Sequence, residues 1–275
     1  MSQRTSHAAH PDLQADCGDC FGLCCVALPF SRSADFPVNK SAGTPCGHLR
    51  KDFRGGVHEQ LRDRGYNGCA VFHCFGAGQK VSRVTFTSVS WCDEPASARA
   101  MFEVFPIMRR LHELLTYIAQ ALDLPSARPV HQELRRAYEQ IDALTRETPQ
   151  TLLEADVDAL RATIDPLLLR TAELARAAVP ASGRNHRRAD LVGARLHCAQ
   201  LRGADMRGAL LIAADLSGAD LRDADLIGAH MRDADLRGAD LRNAVFLTQS
   251  QLDAARGDAR TQMSPPLTHP PHWAT

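Results

Sequence analysis

The sequence predicts a multidomain chain in three parts: a Cys-rich metal-binding N-terminal module, an α-helical bundle in the middle and a solenoid at the C-terminal end. Three observations carry this. Eight of the nine cysteines lie before residue 93. From about Ala96 to Val179 apolar residues recur at helical spacing. From Ala189 to Ala244 every fifth residue is Ala, twelve in all, and two places after each stands Leu, Met or Phe. Neither a helix nor a flat strand keeps all of these on one buried surface. A chain that turns a corner every five residues does, and short fixed periods mark solenoids. The expected boundaries are a disordered tail over 1–15, the Cys-rich domain over 16–95, the helical domain over 96–180 and a linker over 181–188. The repeat then covers 189–248, with a capping helix and Pro-rich tail over 249–275.

In the front end Cys17, Cys20, Cys24 and Cys25 form C-x2-C-x3-C-C, followed by Cys46, Cys69 and Cys74. The gap of two lets Cys17 and Cys20 reach one ion from a tight turn, which Gly18 and Asp19 favour. Cys24 and Cys25 are neighbours; in an extended segment their side chains diverge, so one is expected to serve the first metal while the other serves a second metal or packs in the core. The arrangement resembles the zinc- or iron-chelating family named for a C-x2-C-x2-C-C motif, with one residue more in the middle gap. That resemblance implies Cys17, Cys20, Cys24, Cys25, Cys46, Cys69 and Cys74 as metal ligands, with His48, His58 and His73 as further candidates. Zinc and an iron–sulfur cluster both suit thiolates, so that choice stays open. Cys92 and Cys198 read as unligated thiols. Lys80–Trp91 reads as a β-hairpin or pair of short strands.

In the middle, Pro106 is expected to open a helix with Met108, Leu111, Leu115, Ile118 and Leu122 inward. A second follows Pro129, carrying Val130, Leu134, Tyr138, Ile141 and Leu144. Thr151 with Glu154 reads as a capping box for a third carrying Leu153, Val157 and Leu160, and Asp165-Pro166 either starts a fourth or kinks the third.

The repeat reads as A-D-L-R-G with variations, and in this it resembles the pentapeptide-repeat family. The resemblance implies a right-handed quadrilateral β-helix, here of three coils, with the central Leu and the preceding Ala inward. Gly193, Gly203, Gly208, Gly218, Gly228 and Gly238 stand where the backbone must turn. Most outward positions are polar and form a solvated coat. The exceptions are Val192, Leu210, Ile212, Ile227, Val245 and Leu247, a candidate interaction patch to be covered by the chain's own helical segment or by a second subunit in a homodimer. Gln249–Arg256 reads as a short capping helix, and Trp273 closes a proline-rich tail. This ending resembles that of bacterial pentapeptide-repeat proteins with a cysteine-rich front end.

Thirty-two basic residues balance thirty-two acidic ones, which argues against nucleic acid or an anionic membrane as partner. No apolar run of membrane-spanning length occurs, so a cytoplasmic, non-membrane protein is expected. In that compartment clustered thiols favour metal over disulfide. No nucleophile–base pair or phosphate loop stands out. The reading is a non-catalytic interaction or scaffold protein, with a repeat docking column, a Cys-ligated zinc or iron–sulfur site and an unidentified protein partner. One alternative is an iron–sulfur redox sensor or enzyme with the repeat as accessory. Another, implied by the pentapeptide-repeat resemblance, is a DNA mimic that protects a topoisomerase. Nine Asp against seven Arg over 189–248 is too neutral for a duplex mimic.

Overall fold

The computed structural model describes residues 11–179 and 185–273. Most of the expected N-terminal tail and half of the expected linker therefore lie outside the described residues. Among the described residues contacts form two units: one of 11–119 with 132–166, and one of 120–131 with 167–179 and 185–273.

Every regular element named among the described residues is helical. The first unit begins with short pieces: α1 (Leu23–Val26), α2 (Asn67–Ala70) and α3 (Ala77–Lys80). The hairpin expected over Lys80–Trp91 is corrected, because α3 runs into a wide helical turn, Val81–Thr85, closed by Phe86 N–H to Val81 C=O. That turn buries Val81 and Ser82, and the Ser82 hydroxyl accepts from Phe21 N–H at 3.1 Å. Burial on one side of a helix outweighs the strand propensity of this segment.

Four longer helices follow: α4 (Pro95–Asp123), α5 (His131–Leu144), α6 (Pro149–Glu154) and α7 (Val157–Arg176). Pro95, not Pro106, opens α4, and Pro106 and Pro166 lie inside α4 and α7. Thr148 rather than Thr151 caps α6, accepting from Thr151 N–H at 3.2 Å. Asp156 then caps α7 through Ala159 N–H at 2.9 Å. A helix start goes to the residue whose side chain reaches the free N–H groups; α4 begins eleven residues before the expected Pro106, while α5 and α6 begin close to their expected starts. Met101, Met108, Leu111 and Ile118 of α4 are fully buried, as are Leu134 of α5 and Leu152 of α6.

The repeat is a stack of five-residue steps, each a local device. The Leu carbonyl accepts from the N–H three residues on, as Leu201 does from Ala204 at 3.0 Å. The Asp before it caps the same turn, as Asp220 does from Arg222 N–H at 3.2 Å. The third turn residue must be left-handed, and every fifth residue from Arg188 to Asn243 has a positive φ, between 53° and 68°. Glycine accepts that geometry freely; Cys198, Ala213, Asp223 and Asp233 adopt it as well. Successive turns join through residues twenty apart, as in Asp190↔Leu210, Arg195↔Asp215 and Gln200↔Asp220.

The quadrilateral β-helix expected here is corrected. No strand or sheet forms among the described residues, and the pairing consists of isolated parallel bridges. The reason lies in the step itself. Four of five residues are spent on the turn, so one is left to pair with the next layer. The interior is filled: Leu201, Met206, Leu211, Leu216, Leu221, Leu226 and Leu236 have no exposed surface, with Ala209, Ala214, Ala224 and Ala234 packed between them. Each such Leu contributes roughly 1.5–3 kcal/mol.

The two ends differ. After Phe246 the step fails, and α8 (Gln249–Ala254) begins with a complete capping box from Thr248 and Gln251. Gln251 donates to Leu226 C=O at 2.8 Å and Ala229 C=O at 3.0 Å. Arg256 and Gln262 then bridge Asp235 and Asp240, extending the ladder past the repeat. Trp273, 4% exposed, donates to Ala255 C=O at 3.0 Å and packs with Leu247 and Leu252. At the opposite end Leu191 and Leu196 are only partly buried.

Candidate functional site

All seven cysteines that the resemblance implies as ligands lie in the first unit. Gly22, left-handed at φ 65°, turns the chain into α1, whose Leu23 and Val26 are buried. Cys24 and Cys25 thus stay on its half-buried side. Their sulfurs stand 3.9 Å apart. The expected divergence is corrected: the pair sits in a helical turn, not an extended segment. About 3.8 Å is the separation of two thiolates sharing one tetrahedral zinc at 2.3 Å. Cys46 is tied to this turn by its N–H to Cys25 C=O at 2.9 Å. Cys69 lies on α2, and Cys74 receives Ala77 N–H at the start of α3. Gly78 makes room there, since a Cβ on it would lie 2.6 Å from Cys20 Sγ and 3.9 Å from Cys74 Sγ.

Electrostatics link the thiols into one neighbourhood. Burial pushes Cys20 up to about 11, reinforced by Cys74 and Cys17. Burial does the same for Cys69, to about 11, with Cys25 and Cys46 adding to it. Cys17 rises through burial, then Cys74 and Cys25. The hydrogen bond between the neighbours holds Cys24 well up and brings Cys25 down to about 7. Burial lowers the ammonium of Lys40, 8% exposed, against the opposing pull of Cys46, Cys25, Cys24 and Cys69. It donates to Val26, Ser41 and Thr44 carbonyls at 3.0, 3.2 and 2.9 Å and lies 5.7 Å from the Phe30 ring centroid.

The donor chemistry suits a soft cation, which would relieve the repulsion among ionised thiols. The placement is less complete: among the described residues no three His, Cys, Asp or Glu side chains converge as an ion-holding group. Of the histidines, His73 accepts Phe75 N–H at its Nδ1, 3.1 Å away, and His48 stands edge-on to Tyr66. Cys92 is exposed.

On the repeat, the six apolar outward residues divide. Val192 is 53% exposed and Leu210 and Ile212 are half-buried, whereas Ile227, Val245 and Leu247 are buried. The solvated coat expected at most outward positions is corrected at two polar ones. Asp225 has no exposed surface and Arg207 is 8% exposed, with 3.5 Å between Oδ2 and Nε. Burial raises the Asp225 carboxyl despite Arg207. Nearby Arg176 of α7 reaches Asp205 at 3.6 Å, and Val179 lies where a Cβ on Gly203 would come within 3.2 Å. Other ion pairs lie on the outside, Arg222 bridging Asp220 at 2.6 Å and Asp240 at 3.6 Å.

One constellation escaped the sequence reading. Cys198 Sγ lies 3.2 Å from His197 Nε2, and His197 Nδ1 lies 2.8 Å from Ser217 Oγ one turn above. Ser217 donates both its N–H and its O–H to Asp215. The signal was available: a His-Cys pair followed by Ser twenty residues later shares one column. Reading Cys198 alone, as an outward repeat residue, concealed it.

The family model for pentapeptide repeats matches residues 182–211 and 209–246, in eight copies. The chain is 53% identical over 267 residues to the uncharacterized protein YybG of Bacillus subtilis (strain 168), covering 96% of each. No solved structure matches it.

Proposed function

The chain belongs to one family with YybG and carries pentapeptide repeats in its last third, and from that premise we propose that it is a non-catalytic interaction protein whose repeat is the docking element. The observation that carries this reading is the filled interior. Leucines with no exposed surface leave no room for a ligand inside, so recognition falls to the outer faces and ends. The C-terminal end is closed by α8 and Trp273. The first turn keeps Leu191 and Leu196 part-exposed beside Val192, Leu210 and Ile212. Apolar side chains at the edge of a ladder favour association with a like edge, and a second copy supplies one by symmetry. The partner in this reading is therefore a homodimer mate. Light scattering of the full chain at micromolar concentration tests it. A dimer that Val192→Glu with Ile212→Glu converts to a folded monomer is the expected result; a wild-type monomer rejects the mate.

A second reading rests on a separate observation, the 3.9 Å approach of the Cys24 and Cys25 sulfurs beside Lys40. In it Cys17, Cys20, Cys24, Cys25, Cys46, Cys69 and Cys74 hold zinc or an iron–sulfur cluster as a staple for the first unit. Bound, such a group would replace thiol protons and tie α1, α2 and the start of α3 together. Metal analysis and an optical spectrum of anaerobically purified protein decide between the two cofactors. A metal-free chain with the first unit folded removes both.

A further inference from the structure

We propose that Cys198 is a nucleophilic thiol on the outer face of the repeat, with His197 as its base, and that it takes up small disulfides from solution as a mixed disulfide.

The direction of each hydrogen bond follows from its neighbour. Asp215 is an acceptor, and the Ser217 bonds hold its carboxyl below the usual range, so it is ionised at neutral pH. Ser217 Oγ therefore donates its single proton to Asp215. Toward His197 the same oxygen can only accept, at 2.8 Å, which places the imidazole proton on Nδ1. Nε2 is left with a bare lone pair, and that lone pair lies 3.2 Å from Cys198 Sγ. A neutral imidazole nitrogen facing a thiol accepts its proton. The chain Asp215–Ser217–His197–Cys198 thus has the order of orienter, relay, base and nucleophile.

Access completes the arrangement. Cys198 and His197 are exposed, and the sulfur rests over Gly218 of the next turn, where a Cβ would come within 3.0 Å. The left-handed backbone at Cys198, φ 53°, sets the side chain on the outside of the corner. Both side chains open to solvent, so a small soluble disulfide can reach the sulfur. In the reaction the Cys198 proton passes to His197 Nε2 and the thiolate attacks one sulfur of R–S–S–R. The old S–S bond breaks as the new one forms, and the departing R–S⁻ takes the proton from the imidazolium. The products are Cys198–S–S–R and R–SH, with no outside oxidant needed.

The test uses the full chain with oxidised glutathione, and separately iodoacetamide, with modification followed peptide by peptide in mass spectrometry. With a base 3.2 Å from its sulfur, Cys198 should react about tenfold faster than the exposed Cys92. His197→Gln should bring Cys198 to the Cys92 rate. Ser217→Ala should slow it while Ser217→Thr, which keeps the hydroxyl, restores it. Equal rates for Cys198 and Cys92 in wild type overturn the proposal whatever the variants do. So does an unchanged rate in His197→Gln. The oligomeric state plays no part in this readout, so its outcome is separable from that of the docking role.

Discussion

The repeat and the cysteine-rich segment reach order by opposite means. In the repeat each residue has the same neighbour as its counterpart twenty places away, so Leu201, Leu221 and Leu241 share one environment and one partner type. In the front end no residue repeats another. Cys46 is placed by one backbone bond to Cys25, Gly78 by the bulk of Cys20, and Lys40 by three carbonyls. Errors in the first are shared across layers, whereas each contact of the second stands alone. The contrast teaches that apolar burial can be periodic, while burial of thiols and an ammonium group must be arranged singly.

The largest effect expected from this contrast is at Leu216. Leu216→Asp should unfold the repeat outright, because an isolated carboxylate inside the column costs several kcal/mol and meets no cation there. A melting curve that overlays wild type would break the account of a dry interior.

Next comes a titration in the first unit. His112 of α4 is 1% exposed, with Nδ1 2.7 Å from Phe75 C=O and Nε2 buried without a hydrogen bond. Burial depresses it from the ordinary 6.5 to about 4. The unfolded chain therefore takes up this proton first as pH falls. Stability present above pH 6.5 declines through the interval down to pH 4, by about 3 kcal/mol in all. Urea titrations at pH 4.5 and pH 7 measure the difference, and His112→Phe should remove most of its slope. A slope untouched by that substitution would assign the acid sensitivity elsewhere.

The smallest effect sharpens the local rule. Ala213 occupies the left-handed turn position at φ 54° and is exposed, with no side-chain partner to lose. A left-handed Ala costs roughly 1–2 kcal/mol and the flexibility of Gly about 0.5–1, so Ala213→Gly should stabilise by about 0.5 kcal/mol. Destabilisation of that size would mean the turn is not set by φ alone.

What was legible follows the same division. The inward Leu and Ala, the short capping helix and the turn glycines were readable because each rests on neighbours a fixed distance along the chain. The strand content was misjudged because period five fixes the stacking but not how many residues pair; one per step is too few for a strand. Burial of Asp225 was not legible either, since what encloses it comes from outside the repeat's own period. In the front end, family resemblance picked out seven cysteines, yet the 3.9 Å approach of Cys24 and Cys25 depends on a four-residue helix that no periodicity announces. The His197–Ser217 contact lay in plain view once residues were set in rows of twenty.

The bond from Gln251 to the carbonyls of Leu226 and Ala229 has a consequence for how such chains change length. The lid is keyed to one corner of the layer beneath it. Removing twenty residues offers it an equivalent corner, whereas removing five rotates the seat by a quarter circuit and presents different side chains. Growth and loss in this lineage should therefore proceed by complete circuits, with the lid carried along unchanged.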